Sequence, residues 1–220
     1  MLLTPAHQFP TGYALAPERR TAVLDWARTT GGLILEDDYD GEFRYDRRPV
    51  AALQGLDPDR VVYFGTASKS LAPALRVAWM VVPEHLRPEV AAAKGDVELV
   101  SVLDQLTLAE FITSGAFDRH VRARRQTYRR RREELVAAGL KVTGMAAGLQ
   151  AVVELPPGTE SRIVRAAAAR GLMVRGLADF RYAATTDGPD ALVVNYSAVS
   201  DSAWEGTLSA LVAVVSAGSP

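Results

Sequence analysis

Two short apolar runs of the sequence end in residues that can do chemistry. Residues 33–35 are followed by a cluster of acids with one tyrosine, and residues 61–65 are followed by hydroxyl side chains and a lysine. Parallel strands of an open α/β sheet bring their carboxyl ends to one edge, where such sheets bind ligands. We therefore expect one shared site at this edge. Its candidate members are Asp37, Tyr39, Thr66, Ser68, Lys69 and Arg76.

This set of groups suits pyridoxal phosphate. The amine of Lys69 can form a Schiff base with the cofactor aldehyde, and a carboxylate such as Asp37 can keep the pyridine nitrogen protonated. A tyrosine hydroxyl can hydrogen-bond the phenolic oxygen of the ring, while hydroxyls and a guanidinium can bind the phosphate. Only three of the 25 basic residues are lysine, and arginine cannot form an imine. The lysine in this turn is therefore a strong candidate.

Hydrophobic patterning predicts the elements that position these side chains. Continuous apolar runs indicate buried strands, and a helix is expected from Pro17, a favourable first-turn residue, to Gly31. The predicted strands are 33–35, 61–65, 77–82, 149–155, 172–177 and 191–196, and the other predicted helices are 99–113, 116–138, 159–170 and 200–215. Strands and helices in this order predict an α/β chain.

Composition excludes several classes of protein. The 220 residues are 48% hydrophobic and 23% charged, which is typical of a globular chain. The net charge of −1 gives no sign of nucleic-acid or anionic-membrane binding, and the absence of cysteine excludes disulfides and thiolate chemistry. The sequence lacks an apolar run of about 18 residues and has no signal-peptide pattern at its start. A cytoplasmic protein is expected.

Three motifs surround the candidate residues. They are TPAHQFPTG at 4–12, EDDYDGEFRY at 36–45 and GTASKSLAPALR at 65–76, continued by Gln105 and by residues 117–122 and 128–132. Over most of residues 1–135 they resemble the aminotransferase-like domain of MocR/GabR-type transcriptional regulators of the GntR family. The resemblance implies fold type I, as in aspartate aminotransferase, with part of the large lobe in residues 1–138 and a small α+β lobe in residues 139–220.

The same resemblance implies roles for the candidate residues. Lys69 is then the Schiff-base lysine, Asp37 the partner of the pyridine nitrogen and Tyr39 the partner of the phenolic oxygen. The phosphate ligands implied are Thr66, Ser68 and Arg76. His7 lies beside the expected site and is a further candidate to touch cofactor or substrate.

The sequence departs from the family pattern in two places. Complete family members carry a winged-helix DNA-binding domain, a linker and the first half of the large lobe ahead of the region matched here, so we expect a truncated chain. Related aminotransferases also have a small-lobe arginine that grips the substrate carboxylate, and residues 191–197 contain none. Arg175 and Arg181 are the nearest candidates, and transamination is left open.

Two other interpretations are weaker. Asp38-Tyr39-Asp40-Gly41 imitates the Asp-x-Asp motif of a haloacid-dehalogenase phosphatase, but the later acids Asp187 and Asp190 lie in a Gly/Pro turn instead of at a strand end. Eight arginines between Arg119 and Arg132 suggest nucleic-acid binding, although an apolar stripe and two glutamates favour a solvated helix face or a dimer contact. The three histidines are too scattered for a local metal cluster, so no metal is assigned.

Two functional hypotheses remain. The leading one is a pyridoxal-phosphate-binding effector domain of a regulator that senses a small amino acid or amine and reaches DNA only through a winged-helix domain outside this chain. The alternative is a fragment of a class I/II aminotransferase acting on an amino acid. A homodimer is expected for the complete protein. Poor solubility is expected for this chain alone, because uncovered sheet edges and apolar surface drive association.

Overall fold

The structure, a computed structural model, describes residues 1–45, 50–95, 99–182 and 187–218. The chain divides into two units, one formed by Met1–Gln8 with Tyr13–Arg125 and the other by Phe9–Gly12 with Gln126–Pro220. The sequence-based boundary lies instead between residues 138 and 139 and stays a proposal.

The first unit contains a four-stranded sheet with helices around it. Its strands are β1 (Leu2–Leu3), β2 (Ile34–Asp37), β3 (Val61–Thr66) and β4 (Ala78–Val81), in that spatial order. Its helices are α1 (Pro17–Thr30), α2 (Arg87–Lys94), α3 (Val102–Thr113) and the first part of α4 (Ala116–Ala137). β1, β2 and β3 are parallel, whereas β4 runs antiparallel to β3.

The register of β2 and β3 brings the chemistry-bearing residues to one edge. Asp37, the last residue of β2, pairs with Phe64, and β3 ends two residues later at Thr66. The acid-rich and the lysine-bearing loops therefore leave the sheet side by side, as the sequence predicted.

Helix α1 covers the sheet with the residues expected from its sequence. Leu24 and Ala27 of α1 form a buried cluster with Ile34 of β2, Val61 of β3 and Leu53. Each large aliphatic side chain buried in this way stabilises the fold by about 1.5–3 kcal/mol. Pro17 starts the helix, and Gly31 follows it in the left-handed conformation at φ 72°, where a side chain would add strain.

The second unit has its own four-stranded antiparallel sheet. Its strands are β5 (Val142–Thr143), β6 (Gln150–Glu154), β7 (Arg175–Gly176) and β8 (Ala191–Asn195), in the spatial order β5-β6-β8-β7. Two helices, α5 (Glu160–Ala169) and α6 (Trp204–Gly218), accompany the sheet. Gly218 lies so close to Ile163 that an added Cβ would come within 2.5 Å of the Ile163 side chain.

The sequence missed some short elements and overextended others. α2 and β5 were not predicted. β7 has two residues where strand 172–177 was expected, because residues 172–174 do not pair with β8 and a 3₁₀ turn begins at Leu177. Helices α3 and α6 begin at Val102 and Trp204, a few residues later than predicted. Within the described ranges, no helix combines the length and apolar character needed to cross a membrane.

Candidate functional site

A cleft opens at the carboxyl ends of β2 and β3. It has a volume of about 280 Å³, and its lining is mainly apolar, with Asp37 as its carboxylate. The lining residues are Leu2, Leu35, Asp37, Phe64, Gly65, Thr66 and Ala78. The predicted cofactor residues Asp37 and Thr66 therefore share one concave surface.

Asp37 lies in an environment that acts on its charge. Burial raises the pKa of Asp37 above its ordinary value of 3.8, and the negative charges of Asp38 and Asp40 raise it further. The positive charge of Lys69 opposes this rise. A second positive charge placed in the cleft would favour the ionised carboxylate in the same way.

Lys69 lies in a tight turn directly after β3, where its side chain is exposed. The turn is braced by two backbone bonds, from Ala67 N to the Val77 carbonyl at 3.0 Å and from Leu71 N to the Ala67 carbonyl at 2.9 Å. Thr66 Oγ1 adds to this brace, because it donates to the Val77 carbonyl at 3.2 Å and accepts from Ser68 N at 3.1 Å. The turn thus fixes the backbone from which the lysine projects.

Arg76 lies at the other end of the loop that begins with the Lys69 turn. It follows a short 3₁₀ turn, Pro73–Leu75, and precedes Val77, the residue that holds the Lys69 turn. Its φ of 52° is the only positive value at a non-glycine among the described residues. Such a conformation costs of order 1 kcal/mol or more, and strained residues of this kind are enriched at functional sites.

A buried pair of polar residues, His7 and Asp40, lies next to Tyr39. His7 Nδ1 is 2.6 Å from Asp40 Oδ2, and both side chains are only 1% exposed. The Tyr39 hydroxyl lies 3.3 Å from the same His7 nitrogen. The structure therefore brings His7 and Tyr39 together with Asp40, to which the sequence analysis assigned no role.

Asp38, Arg44 and Tyr63 form a second polar cluster, next to the His7–Asp40 pair. Arg44 donates to Asp38 at 3.2 Å and to Asp40 at 3.5 Å, and the Tyr63 hydroxyl donates to Asp38 at 3.1 Å. Burial raises the pKa of Asp38, and the positive charge of Arg44 counteracts this. Burial and the nearby carboxylates raise the pKa of Tyr63 well above its ordinary value of 10, so the phenol stays protonated and remains a donor.

Glu36 has a structural role. Its carboxylate is fully buried and accepts hydrogen bonds from Leu53 N and Gln54 N, both at 2.9 Å. Burial nevertheless raises the pKa of Glu36. Alternate residues of β2 thus face different surroundings: Glu36 holds a neighbouring loop, whereas Asp37 faces the cleft.

The arginines of α4 mostly bind the chain itself. Arg125 donates two hydrogen bonds to the Glu42 carbonyl, at 2.9 and 2.6 Å. The buried Arg131 donates to the Val199 carbonyl and to the Asp201 carboxylate, both at 2.7 Å. Two more form ion pairs with glutamates four residues along the helix: Arg129–Glu133 and Arg130–Glu134. These contacts favour a structural role over the nucleic-acid interpretation.

The two candidate arginines for a substrate carboxylate already have partners within the second unit. Arg175 donates to Asp179 at 3.2 Å and lies 4.4 Å over the ring of Phe180. Arg181 donates to the Pro189 carbonyl. Either residue would have to give up a contact to bind a carboxylate.

The donor groups in and beside the cleft suit pyridoxal phosphate: Asp37 and Thr66 line the cleft, whereas Ser68, Lys69 and Arg76 lie outside its lining. They offer a carboxylate in an apolar cleft, an amine whose charge acts on that carboxylate, and two hydroxyls and a guanidinium around one braced turn. Gly65 leaves room for Trp79 of β4 beside the cleft, since a Cβ at this position would come within 2.5 Å of the Trp79 indole. The residues present therefore fit the cofactor that the sequence predicted.

Known proteins resemble this chain in both sequence and fold. Residues 1–211 match the family described as aminotransferase class I and II. The HTH-type transcriptional regulator YhdI of Bacillus subtilis (strain 168) is 40% identical over 185 residues, which cover 78% of this chain and 39% of YhdI. The probable rhizopine catabolism regulatory protein MocR of Rhizobium meliloti is 36% identical over 184 residues, covering 78% of this chain and 37% of MocR.

Among solved structures, the kynurenine aminotransferase of Pyrococcus horikoshii, in complex with PMP, matches with a TM-score of 0.80 and 26% identity. The match covers 98% of this chain and 55% of that one. The predicted type I fold is confirmed, and the phosphatase interpretation, which requires another fold, is wrong. The chain spans about two fifths of the length of these two regulators. By its motifs, its fold and these matches, the chain belongs to the aminotransferase class I and II family and is similar to the aminotransferase-like part of MocR-type regulators.

Proposed function

We propose that the chain is the pyridoxal-phosphate-binding effector domain of a MocR/GabR-type regulator and that Lys69 holds the cofactor covalently. The observation that carries the proposal is the cleft at the ends of β2 and β3, where Asp37 lies under the influence of the Lys69 charge. An acid and an amine coupled in this way, at the ligand-binding edge of the sheet, match what the cofactor needs.

Each residue of the site has a part in binding. Asp37 holds a proton on the pyridine nitrogen, and Tyr39 donates to the phenolic oxygen of the ring. The Thr66 and Ser68 hydroxyls and the Arg76 guanidinium bind the phosphate, Arg76 by charge-assisted hydrogen bonds. When bound, pyridoxal phosphate supplies an aldehyde that captures amines and a ring that withdraws electrons.

The regulator assignment has its support in the relatives. YhdI is named an HTH-type transcriptional regulator and MocR a probable regulatory protein, and both are much longer than the region matched here. We infer that DNA binding belongs to a separate winged-helix domain, that the effector is a small amino acid or amine, and that the complete protein is a cytoplasmic homodimer.

Borohydride trapping tests the covalent site. The chain, and a version extended by the upstream half of an aminotransferase-like domain, are mixed with pyridoxal phosphate, reduced and mapped by peptide mass spectrometry. We expect the label on Lys69 and its loss in Lys69→Ala, while the controls Lys94→Ala and Lys141→Ala keep it. Labelling of Lys94 or Lys141, or no labelling of the extended version, would refute the site.

A class I/II aminotransferase fragment is the second candidate, favoured by the structural match to an aminotransferase. The coding sequence upstream distinguishes the two, since a winged-helix stretch supports the regulator and an intact aminotransferase half without one supports the enzyme. Conversion of the bound cofactor to its amine form by an added amino acid, measured by absorbance, would show the first half-reaction of transamination and support the enzyme.

A further inference from the structure

We propose that Asp40 is a positioning residue: acting through His7, it directs the hydroxyl hydrogen of Tyr39 toward the ring oxygen of the cofactor. The inference rests on the proposed function and adds to it a residue with no assigned role. Its basis is the contact chain Asp40–His7–Tyr39, with 2.6 Å and 3.3 Å between the successive polar atoms.

The position of the hydrogen on His7 determines which atoms donate and which accept in this series of contacts. A carboxylate oxygen accepts, so His7 Nδ1 carries the hydrogen and donates it to Asp40 Oδ2. A nitrogen that carries a hydrogen in the ring plane cannot also accept from Tyr39. The Tyr39 oxygen therefore faces an N–H group, and the hydrogen of the Tyr39 hydroxyl points away from His7 Nδ1.

The loop that carries Asp40 is held from several sides. The Asp40 carbonyl accepts from Phe43 N at 2.9 Å, and the Phe43 ring is fully buried. Two hydrogen bonds from Arg125 hold the carbonyl of Glu42, two residues after Asp40. Asp40 is thus held by its backbone and by the residues that follow it, as well as by its side chain.

The energetics favour a role beyond holding the fold. A histidine–carboxylate pair that is almost completely buried has given up its hydration, and apolar side chains of the same volume stabilise a core as well or better. Nearby charges also face the pair, namely Asp38 and Arg44. A site that must present one hydroxyl in one orientation gains from such a pair, because it fixes the histidine tautomer and ring position.

The test is the visible absorbance of pyridoxal phosphate bound to Lys69, followed against pH. A donor to the ring oxygen stabilises its negative charge, so losing that donor makes the oxygen more basic and lets the nearby Lys69 nitrogen keep its proton to higher pH. Tyr39→Phe therefore raises the pH midpoint of the absorbance change. We expect Asp40→Leu and His7→Gln to raise it by at least half as much, and Asp40→Asn, which keeps an acceptor oxygen, by less.

Double variants separate positioning from general damage. If the residues act through Tyr39, Asp40→Leu combined with Tyr39→Phe shifts the midpoint no further than Tyr39→Phe alone. Tyr63→Phe is the matched control: it removes a hydroxyl from the neighbouring group bound to Asp38 and should leave the midpoint unchanged. Circular dichroism verifies that each variant is folded. If Asp40→Leu does not fold, the test uses Asp40→Asn and His7→Gln.

The outcomes distinguish this inference from the proposed function. Absence of trapping on Lys69 in the unsubstituted protein refutes the proposed function. Trapping on Lys69 with an unchanged midpoint in the folded Asp40 and His7 variants, or with fully additive shifts, overturns the positioning role and leaves the proposed function in place.

Discussion

Asp37 is the residue at which the electrostatics of the cleft can be tested most directly. Asp37→Asn keeps the size of the side chain but removes the charge that would hold a proton on the pyridine nitrogen. We expect borohydride trapping on Lys69 to persist while the absorbance of the protonated-ring form decreases. Asp38→Asn is the control, because Asp38 binds Arg44 and Tyr63 rather than lining the cleft. Removing its negative charge lowers the pKa of Asp37 and favours the ionised carboxylate, so this variant should keep the band. Equal loss of the band in both variants would contradict the role of Asp37.

Arg76 tests the phosphate assignment. Arg76→Ala should weaken binding of pyridoxal phosphate by about 2–3 kcal/mol, the upper part of the range for hydrogen bonds to a charged group. The affinity for pyridoxal, which lacks the phosphate, should stay the same, and so should both affinities in Arg87→Ala, an exposed arginine paired with Glu84. Fluorescence titration with the two aldehydes measures the difference. An equal loss for both aldehydes would mean that Arg76 does not bind the phosphate.

At the scale of elements, Glu36 links β2 to the segment at Leu53 and Gln54, and this link carries a pH dependence. Because burial raises its pKa above 4.5, folded Glu36 holds its proton at pH values where the unfolded chain has released it. The folded state then binds more protons, so the Glu36 contribution to the free energy of unfolding falls as the pH rises from about 4.5 through the raised pKa.

Glu36→Gln should remove that decline and also lower stability by about 1–3 kcal/mol, since one amide oxygen replaces an acceptor pair that serves two N–H groups. Urea denaturation across this pH window measures both effects. The control is Glu89→Gln, on the exposed side of α2, which should leave the slope unchanged. A slope that is the same in Glu36→Gln and the unsubstituted chain would contradict the assignment.

The elements also show what sequence patterning can supply. Helix α1 and strands β2 and β3 were predicted because their signals are local: a first-turn proline, a terminal glycine and apolar runs. The motif resemblance named the residues around the cleft. The Asp40–His7 contact joins residues 33 apart, and the Arg125–Glu42 contact joins residues 83 apart. No local pattern encodes such contacts, because they arise only when the sheet and α4 are in place.

For the whole molecule, the surface of α3 predicts association. Leu99 and three apolar residues along the helix, Val102, Leu103 and Leu106, are exposed, and the antiparallel strand β4 exposes Trp79, Met80 and Val81. Patches of this kind on one chain usually mark surfaces that another segment or partner covers. We therefore expect the isolated chain to self-associate.

Light scattering on surface variants checks this expectation. Leu103→Glu with Leu106→Glu should shift the chain toward smaller species without lowering its melting temperature, because these side chains are 75% and 62% exposed. Met173→Glu, at a single methionine that is 98% exposed in the second unit, should not change the association. A clean monomer of the unsubstituted chain at high concentration would show that the expectation is wrong.

The contact between Trp79 and Gly65 makes the molecule its own optical reporter. The indole lies against the glycine that lines the cleft, whereas the other two tryptophans, Trp26 and Trp204, belong to α1 and α6. A bound chromophore that absorbs where indole emits would quench Trp79 by energy transfer, which falls steeply with distance. Occupancy of the cleft should therefore be readable from intrinsic emission. Trp79→Phe should lower the quenching more than Trp26→Phe does, because the Trp26 indole lies against Gly32, at the opposite end of β2 from Asp37.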